Sequence, residues 1–313
     1  MKFIIFLTII SEIFLNASFD YSSRGTTALQ TLRINSSPRC SALGEACGSD
    51  IKDASTVEIN PANLVMIKNN SIFISHSSFS NDIKLENISY AKKLSRNSGA
   101  IGVSLRIFNW GNIEETDDSA STIGTYNPKD IVFTLGFANY ISGMTKDPSE
   151  RFAFGGSVKF INTKIKNNAS AVSADVALKF PSLFEKKFIV SIVFSNLIGS
   201  IKMDKERYNI TKIFRIATTT LISKNMTINS DIIMPEDSFL YWTLGTENTI
   251  NISKISSIAL RFGISTKNIK DMNGSRVFNF GFGIKYTGYQ FDYSYSPFGE
   301  LGDIQRISVS IKF

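Results

Sequence analysis

The sequence predicts an all-β fold: a transmembrane, antiparallel up-and-down β-barrel of about fourteen strands, with a small N-terminal hatch that contains a short helix. The first observation is that segments with a period of two recur from about residue 71 onward. The second is the last such segment, whose alternate apolar positions are Ile307, Val309, Ile311 and Phe313. The third is an N-terminal part of different character, which carries helix signals. A strand ending on a bare aromatic residue has no free edge if it closes a barrel onto the first strand.

The composition fits strands that are apolar on one face only. Hydrophobic residues make up 43% of the 313 residues, aromatic residues 12% and charged residues 19%, while the mean hydropathy is only +0.02. Soluble domains usually have about 25% charged residues. The formal net charge is +7, but basic residues are scattered singly, with no run longer than a pair. This scatter argues against nucleic-acid binding.

The chain start resembles a signal peptide covering residues 1–18. A basic residue, Lys2, precedes an apolar run from Phe3 to Leu15, and the small residues Ala17 and Ser18 follow. The run is shorter than the roughly 20 residues that a spanning helix needs, and no later run is long enough. An exported chain with strand periodicity crosses a membrane as a closed barrel. We therefore expect the cell outer membrane as the location, with outer-membrane lipid and the barrel assembly machinery as partners.

The alternation defines the barrel domain, residues 71–313, and leaves residues 19–70 as the hatch. The predicted strands are 71–80, 83–94, 99–110, 130–142, 151–165, 170–180, 187–198, 211–222, 225–234, 239–250, 256–265, 276–286, 288–297 and 304–313. One face is almost purely apolar, as at Phe278, Phe280 and Phe282, and the other carries glycine, serine, asparagine and single charges. A soluble barrel would expose a face rich in lysine and glutamate, whereas a membrane barrel places its apolar face in lipid.

Loop lengths give a second test of a membrane barrel. The third, seventh and eleventh connections, at about 111–129, 199–210 and 266–275, are long and lie at one end. The tight turns Ser223-Lys224 and Thr287-Gly288 are the eighth and twelfth connections, at the other end. Long extracellular loops and short periplasmic turns are typical of outer-membrane barrels.

The hatch segment carries a short strand pattern and one helix. Leu32 to Asn35 is predicted as a strand. Ser37 and Pro38 are typical of an N-cap and a first helical position, and Gly48 of a helix end. The small apolar face of this helix consists of Ala42, Leu43, Ala46 and Cys47.

Two cysteines, Cys40 and Cys47, fall within the predicted helix. Seven residues on one helix span about 10 Å along the axis, which exceeds the reach of a disulfide. We therefore expect buried free thiols unless the helix breaks between them.

Asn60-Pro61-Ala62 is predicted to be a turn, because Pro61 restricts Asn60 to extended geometry. Two interpretations remain open: a gate, or a tight turn that anchors the hatch. The same holds for Met66 and the small helix face, which either contact a ligand or pack on the lumen wall.

Several segments together resemble the N-terminal signature of FadL/PorV-like outer-membrane proteins. They are Leu32-Arg33-Ile34, Pro38-Arg39, Leu43-Gly44-Glu45-Ala46, Asp53-Ala54-Ser55 and Asn60-Pro61-Ala62-Asn63-Leu64. The final hairpin, from Tyr293 to Asp303 and then Arg306-Ile307-Ser308, is similar to that of the PorV-type branch. Leu43 stands where Met is usual, and Asn63 where Gly is usual. Asn tolerates left-handed geometry, so we expect the turn to be kept.

The resemblance implies a fourteen-stranded barrel whose N-terminal segment forms a hatch in the lumen. FadL-branch members move long-chain fatty acids and other hydrophobic compounds inward, whereas PorV-branch members serve type IX protein secretion and shuttle cargo. Three functions remain open: uptake of hydrophobic small molecules, secretion of exported proteins, and a structural role. The ligand and hatch candidates are Leu43, Ala46, Asn60, Pro61, Ala62 and Leu64. The four apolar positions of the last strand, through Phe313, are the candidate assembly signal.

No catalytic constellation is present in the sequence, so we do not expect an enzyme or a cofactor. The single histidine, His76, is interpreted as structural and makes a metal site improbable. An acidic run, Glu114-Glu115 and Asp117-Asp118, is interpreted as a solvated loop, with a calcium site as the alternative.

Overall fold

The computed structural model describes residues 24–94, 99–141, 147–267, 277–297 and 302–313. The predicted signal peptide, residues 1–18, lies outside the described residues. Among the described residues, no helix is both long enough and apolar enough to cross a membrane.

Fourteen strands form one closed barrel in which each strand is antiparallel to its neighbours. They are β2 (Ser71–Ser78), β3 (Lys84–Lys93), β4 (Ala100–Asn109), β7 (Lys129–Tyr140), β8 (Ala153–Lys164), β9 (Asn168–Lys179), β10 (Phe188–Ile198), β13 (Ile213–Leu221), β14 (Met226–Pro235), β15 (Tyr241–Asn251), β16 (Ser256–Ser265), β17 (Phe278–Tyr286), β18 (Tyr289–Pro297) and β19 (Asp303–Lys312). The all-β barrel prediction is confirmed, and each predicted strand corresponds to one of these.

The barrel closes between its last and first strands. β19 pairs with β2, with Val309 opposite Ile74. The ladder continues beyond the strand, because the Phe313 backbone N–H donates to the Asn70 carbonyl at 3.1 Å and the Asn70 N–H donates to the Phe313 carbonyl at 3.0 Å. The last residue therefore belongs to the seam of the barrel.

The two faces of the wall differ as the alternation predicts. Large apolar side chains project outward and stay exposed, for example Phe280 at 48% and Phe160 at 47%. Alternate positions, such as Ser89, Ser104 and Ser173, face the lumen and are buried. Such a surface is stable in lipid, because exposed aromatic and aliphatic side chains are costly in water.

Five further strands lie outside the wall: β1 (Thr27–Ala28), β5 (Ile113–Thr116), β6 (Thr122–Tyr126), β11 (Ser200–Met203) and β12 (Glu206–Ile210). β5 and β6 form a hairpin in the third connection, and β11 and β12 form one in the seventh. β1 pairs in parallel with β12. The long third and seventh connections lie at one end of the barrel, which we call the outer end. The opposite end, with Asn70 and Phe313, is the periplasmic end.

One connection departs from the expected loop lengths. The fourth connection, 141–152, lies at the periplasmic end but is as long as an outer loop, and it contains a short 3-10 helix, Pro148–Glu150. The eleventh connection, predicted to be long, lies largely outside the described residues. Loop length therefore separates the two ends of this barrel less strictly than we expected.

Residues 24–70, which we call the plug, lie against the lumen face of the wall. Their helices are a 3-10 helix (Gln30–Arg33), α1 (Pro38–Ala42), α2 (Thr56–Ile59) and a second 3-10 helix (Pro61–Met66). α1 contacts β16, β17 and β18, while the second 3-10 helix contacts β7, β8 and β9, so the plug touches both sides of the barrel.

Two local predictions for the plug are wrong. Residues 30–33 form a 3-10 helix instead of the short strand predicted at Leu32–Asn35. The helix that Ser37 and Pro38 begin ends at Ala42, well before Gly48. The reason is a left-handed pair, Gly44 (φ 68°) and Glu45 (φ 75°), which reverses the chain.

The same reversal overturns the expectation of free thiols. Cys40 and Cys47 form a disulfide, with their Cα atoms 5.3 Å apart. Because α1 breaks after one turn, the second cysteine returns beside the first, instead of continuing along a helix axis.

Candidate functional site

The plug is seated on glycines of the barrel wall. A Cβ atom added at Gly263 would lie 2.1 Å from the Gly44 nitrogen, and one at Gly245 would lie 2.7 Å from the Leu43 Cβ. On the opposite wall, a Cβ atom at Gly155 would lie 2.3 Å from the Ala62 nitrogen. No side chain fits at these positions, so the plug backbone and the wall backbone are in direct contact on both sides of the lumen.

A second set of close contacts joins the plug to the wall, at Val57 and Leu64. Cβ atoms added at Gly102 and Gly136 would lie 2.9 and 3.3 Å from Leu64 methyl groups, and the one at Gly136 would lie 2.6 Å from Val57. Leu64 and Val57 are fully buried in one apolar cluster with wall residues such as Phe73. This cluster packs the plug against one side of the wall near the periplasmic end.

The Asn60-Pro61 turn is buried and fully bonded. Asn60 is extended (φ −152°), as predicted, and its side chain accepts from the Ala62 N–H at 3.0 Å and donates to the Gly48 carbonyl at 2.5 Å. Asn63 donates to the same carbonyl at 3.0 Å. Asn63 lies in the second 3-10 helix and is not left-handed, so the expected turn is present without left-handed geometry at this residue. The two amides hold separate parts of the plug together.

Charged groups connect α1 to the wall. Arg39 donates to both oxygens of Glu247, from Nε at 2.9 Å and from Nη2 at 3.1 Å. Arg261 also donates to Glu247, at 2.5 Å, and to Asp292 at 2.6 Å. A bidentate arginine–carboxylate pair is among the stronger polar contacts, and here it is largely buried.

Other carboxylates hold the turn after α1. Asp231 of β14 accepts from the Cys47 and Gly48 backbone N–H groups at 3.3 and 3.0 Å. Glu45 pairs with Lys267 at 3.1 Å. Burial raises the pKa of a carboxyl group, but nearby Lys267 and Arg215 outweigh this effect, so the pKa of Glu45 lies below its ordinary value. Glu45 is therefore held in its charged form.

A further carboxylate fastens the start of the plug to the outer loops. Asp237, which is buried, accepts from Thr27, Gln30 and Arg33 at 2.5, 2.6 and 3.1 Å, and from Thr211 at 3.1 Å. Together with the β1–β12 pairing, these bonds place the beginning of the described plug at the outer end. The plug therefore spans the lumen from the outer loops to the periplasmic start of β2.

A cavity of about 600 Å³ remains between the plug and the wall in the outer half of the lumen. Three aromatic residues line it at the outer ends of β2 and β4. The Phe79 and Phe108 ring centroids lie 5.8 Å apart, and those of Phe108 and Trp110 lie 4.9 Å apart. Ile34 and Ile304 extend this apolar wall. The cavity can hold a small apolar molecule.

A cationic group faces the same cavity. The Arg306 guanidinium carbon lies 5.5 Å from the centroid of the Phe79 ring, and one of its nitrogens donates to Ser296 at 3.3 Å. Its Nε is buried and has no hydrogen-bond partner among the described residues. The cavity thus combines an aromatic surface with a positive charge.

The predicted ligand and hatch residues do not line this cavity. Leu43, Ala46, Asn60, Ala62 and Leu64 are fully buried in plug and wall contacts, and Pro61 is buried beside Gly155. Of the assembly-signal positions, Ile307 and Val309 project outward and are 43% and 41% exposed, and Phe313 is 58% exposed.

The cavity residues were not among the predicted ligand residues, although the sequence contains a signal for them. Phe108 shares its strand face with Gly102, Ser104 and Arg106, which is the polar, lumen-facing side of β4. Phe79 similarly follows Ser75 and Ser77 on the lumen side of β2. An aromatic residue on an otherwise polar face breaks the alternation and marks a position where the lumen is apolar.

The other candidate groups have ordinary partners. His76 lies 2.7 Å from Glu86 on the exposed surface. In the acidic hairpin, Glu115 pairs with Lys166 at 2.5 Å and Asp117 caps the Ser119 N–H. Within the described ranges, no group of three or more His, Cys, Asp or Glu residues is placed to hold a metal ion.

Two solved structures that resemble this one are toluene transporters, and a third is a FadL homologue. The Pseudomonas putida toluene transporter TodX has a TM-score of 0.57 at 10% identity, covering 88% of this chain and 98% of its own. A Pseudomonas aeruginosa FadL homologue has a TM-score of 0.56 at 9% identity, covering 89% and 98%. The Ralstonia pickettii toluene transporter TbuX has a TM-score of 0.55 at 9% identity, covering 88% and 98%. At these identities the likeness shows the fold alone.

The curated proteins give no match. The family model described as Type IX secretion system protein PorV matches residues 19–210, more than half of the 313 residues. With its closed fourteen-stranded barrel, the protein is a non-enzymatic protein of the outer membrane. The chain belongs to the PorV family, and its barrel shares the fold of the FadL homologue and the toluene transporters.

Proposed function

We propose that this protein takes up hydrophobic small molecules across the outer membrane and binds them first in the outer cavity. The observation that carries this proposal is the group of Phe79, Phe108 and Trp110 on the lumen side of the wall. Phe108 is already buried, but Trp110 is 39% exposed, and an apolar ligand in the cavity would remove part of this costly surface from water. Cavities of roughly 300–1,000 Å³ are typical of small-molecule sites, and this one falls in that range.

Likeness to transporters of toluene supports the proposal at the level of architecture only. Long-chain fatty acids are a second ligand class to test, because a carboxylate could contact Arg306 while the chain covers the aromatic group. The two classes differ in charge, so a comparison of toluene with oleate separates them.

Passage beyond the cavity requires movement of the plug or a lateral path through the wall. Asn60-Pro61 is our preferred hinge. It lies between the α1 half of the plug, which contacts β16–β18 and pairs with Glu247 of β15, and the second 3-10 helix, which contacts β7–β9. Replacement of Asn60 by alanine would remove its bonds to Ala62 and Gly48, and we expect faster uptake with unchanged ligand affinity.

Tryptophan fluorescence tests the cavity directly. The chain has two tryptophans, and Trp242 lies on the outward face, so Trp242→Phe leaves Trp110 as the single reporter. We expect saturable changes in emission when toluene or oleate is added. Phe108→Ala in this background should weaken binding, whereas Phe133→Ala, on the lipid-facing side, should not. Equal effects of the two substitutions, or a signal that never saturates, would contradict the proposal.

A second candidate function is a role in protein secretion by the type IX route, as a shuttle for exported cargo. The family match over residues 19–210 favours it. A secretion role predicts that the purified barrel carries exported proteins with a shared C-terminal domain, and that the gene neighbourhood encodes other type IX components. An uptake role predicts no bound exported proteins and no type IX genes nearby. A purely structural barrel predicts neither bound cargo nor a bound ligand.

A further inference from the structure

Among the described residues, positive charge is concentrated at the periplasmic end of the barrel. This end consists of the described residues of the periplasmic turns, the last two residues of the strands ending there, and plug residues 50–53 and 67–70. The turns contribute Arg151, Lys186, Lys187, Lys224 and Lys254. The strand ends contribute Lys92, Lys93, Lys179, Lys285 and Lys312. The plug adds Lys52 and Lys68, which makes twelve cations.

Only five carboxylates share this end among the described residues: Asp50, Asp53, Asp147, Glu150 and Glu185. The remaining described residues carry 17 lysines and arginines against 18 aspartates and glutamates. The side chains of the periplasmic end therefore hold a formal excess of seven positive charges, whereas the rest of the described chain is close to neutral.

Ion pairs do not neutralise this excess. Four of the five carboxylates already have partners, such as Asp50 with Lys52 at 2.7 Å and Glu185 with Lys187 at 3.4 Å. Asp53 accepts from the Ser55 backbone N–H at 2.9 Å. Lysines 285 and 312 have no carboxylate within 4.0 Å among the described residues.

Some of these lysines surround an opening into the lumen. A cavity of about 290 Å³ lies at the periplasmic mouth, lined by Lys52, Lys285 and Lys312 on its rim and by Arg39, Arg261 and Gln290 deeper in. Three carboxylates, Asp50, Asp53 and Glu247, line it as well, so the five cations of the lining exceed its carboxylates by two. Arg39 and Arg261 are occupied by Glu247 and Asp292, and Lys52 pairs with Asp50. Lys285 and Lys312 are therefore the rim groups that have no carboxylate partner among the described residues.

The direction of the side chains separates a soluble partner from a lipid. Lys285 alternates with outward-facing Ile284 and Tyr286, and Lys312 lies on the side of Ser308 and Ser310, which face the lumen. A phospholipid headgroup approaches the outside of the wall, whereas these lysines face the lumen axis. Anions that arrive along this axis come from the periplasm.

We propose that the periplasmic end of the barrel docks an acidic segment of a periplasmic protein, whose carboxylates contact Lys52, Lys285 and Lys312 at the mouth of the lumen. The surrounding lysines raise the local concentration of such a segment by long-range attraction. Contacts of this kind weaken with ionic strength, because salt screens exposed charges over about 10 Å at 0.1 M.

A labelled deca-glutamate peptide is the probe, and fluorescence anisotropy is the measurement. The full-length protein is placed in phosphatidylcholine nanodiscs. We expect binding at low salt, loss of binding at about 0.5 M NaCl, and no binding of a deca-lysine peptide. The triple variant Lys52→Gln/Lys285→Gln/Lys312→Gln should bind at least tenfold more weakly. The matched control, Lys84→Gln/Lys129→Gln/Lys164→Gln, removes the same charge at the outer end and should bind like the wild type.

Equal weakening in the two triple variants, or no weakening in either, would overturn the proposal. A second arm uses nanodiscs that contain phosphatidylglycerol. Retained binding supports the proposal, whereas complete loss of wild-type binding would show that lipid headgroups fill the lysines and would overturn it. If heat-modifiability shows that the periplasmic triple variant does not fold, the double variant Lys285→Gln/Lys312→Gln replaces it. This variant keeps the Lys52–Asp50 pair and should still bind severalfold more weakly than the wild type.

Discussion

The wall of this barrel and the plug inside it are stabilised by different interactions. The wall is a continuous antiparallel ladder in which neighbouring strands are mostly neighbours in sequence, and lipid-facing residues alternate with lumen-facing ones. The plug has little regular structure and depends on single groups: the Arg39–Glu247 pair, glycine contacts such as Gly263, and one disulfide. Substitutions that preserve the alternation should therefore be tolerated in the wall, whereas single changes should loosen the plug without opening the wall.

The largest effect should come from the seam of the wall. Deletion of Phe313 removes the last outward-facing aromatic residue and its two backbone bonds to Asn70. We expect the amount of protein in the outer membrane to fall severalfold, while molecules that do assemble keep their heat-modifiability. The measurement is quantitative blotting of membrane fractions. Phe184→Ala, at an exposed aromatic residue in a turn, is the control and should assemble normally. Normal levels of the truncated protein would show that Phe313 is not an assembly signal.

The next largest effect should loosen the plug and leave the wall unchanged. Glu247→Gln leaves Arg39 and Arg261 without their shared carboxylate, and breaking a largely buried pair costs about 3–5 kcal/mol. We expect hydrogen exchange to accelerate at α1, because the free energy of local opening falls by that amount, while the wall strands far from β15 stay protected. Glu86→Gln, which removes the exposed pair with His76, should change the free energy by less than about 1 kcal/mol. If the whole barrel loses protection with α1, the plug and the wall are one cooperative unit.

Sequence periodicity was enough to locate the wall. Each of the fourteen strands lies close to its predicted position, because a strand in lipid must be apolar on alternate residues and the signal is local. The hairpins β5–β6 and β11–β12 were missed, because they lie in aqueous loops where no buried face imposes a period.

The plug was less predictable, since its partners are distant in sequence. Arg39 and Glu247 are 208 residues apart, and no local pattern links them. The disulfide was not predicted because the chain reverses after α1 at Glu45. This residue has a left-handed backbone conformation, which few non-glycine residues adopt. Among the residues that line the cavity, only the aromatic ones that interrupt a polar, lumen-facing pattern, such as Phe108, could be recognised from the sequence.

The disulfide gives a third comparison. Cys40→Ser/Cys47→Ser should lower the free energy of plug opening by about 2–4 kcal/mol, because the cross-link restricts the opened segment. The wall strands lie outside the loop that the disulfide closes, so their protection from hydrogen exchange should not change. A smaller effect at the plug than at the wall would contradict this account.

The smallest expected effect on the plug comes from adding one methyl group to the wall at Gly263. Gly263→Ala places a Cβ atom against the Gly44 nitrogen, and overpacking of this kind costs about 1–3 kcal/mol. Gly124→Ala is the matched control, because nothing lies within 4 Å of a Cβ atom there. Proteolysis of the plug in detergent should accelerate in the first variant and not in the second. Equal rates would mean that the plug adjusts to the wall more easily than the contacts indicate.

We expect the plug, and not the wall, to close the lumen. The most direct test is the single-channel conductance in planar bilayers of the wild type and of a variant that lacks residues 25–60 but keeps the start of the chain. Side chains of the wall can fill a barrel of about eight strands, but a barrel of fourteen strands is too wide to be filled in this way. We therefore predict a closed wild type and a large, steady conductance in the deletion variant. A correctly assembled deletion variant with unchanged conductance would contradict the account.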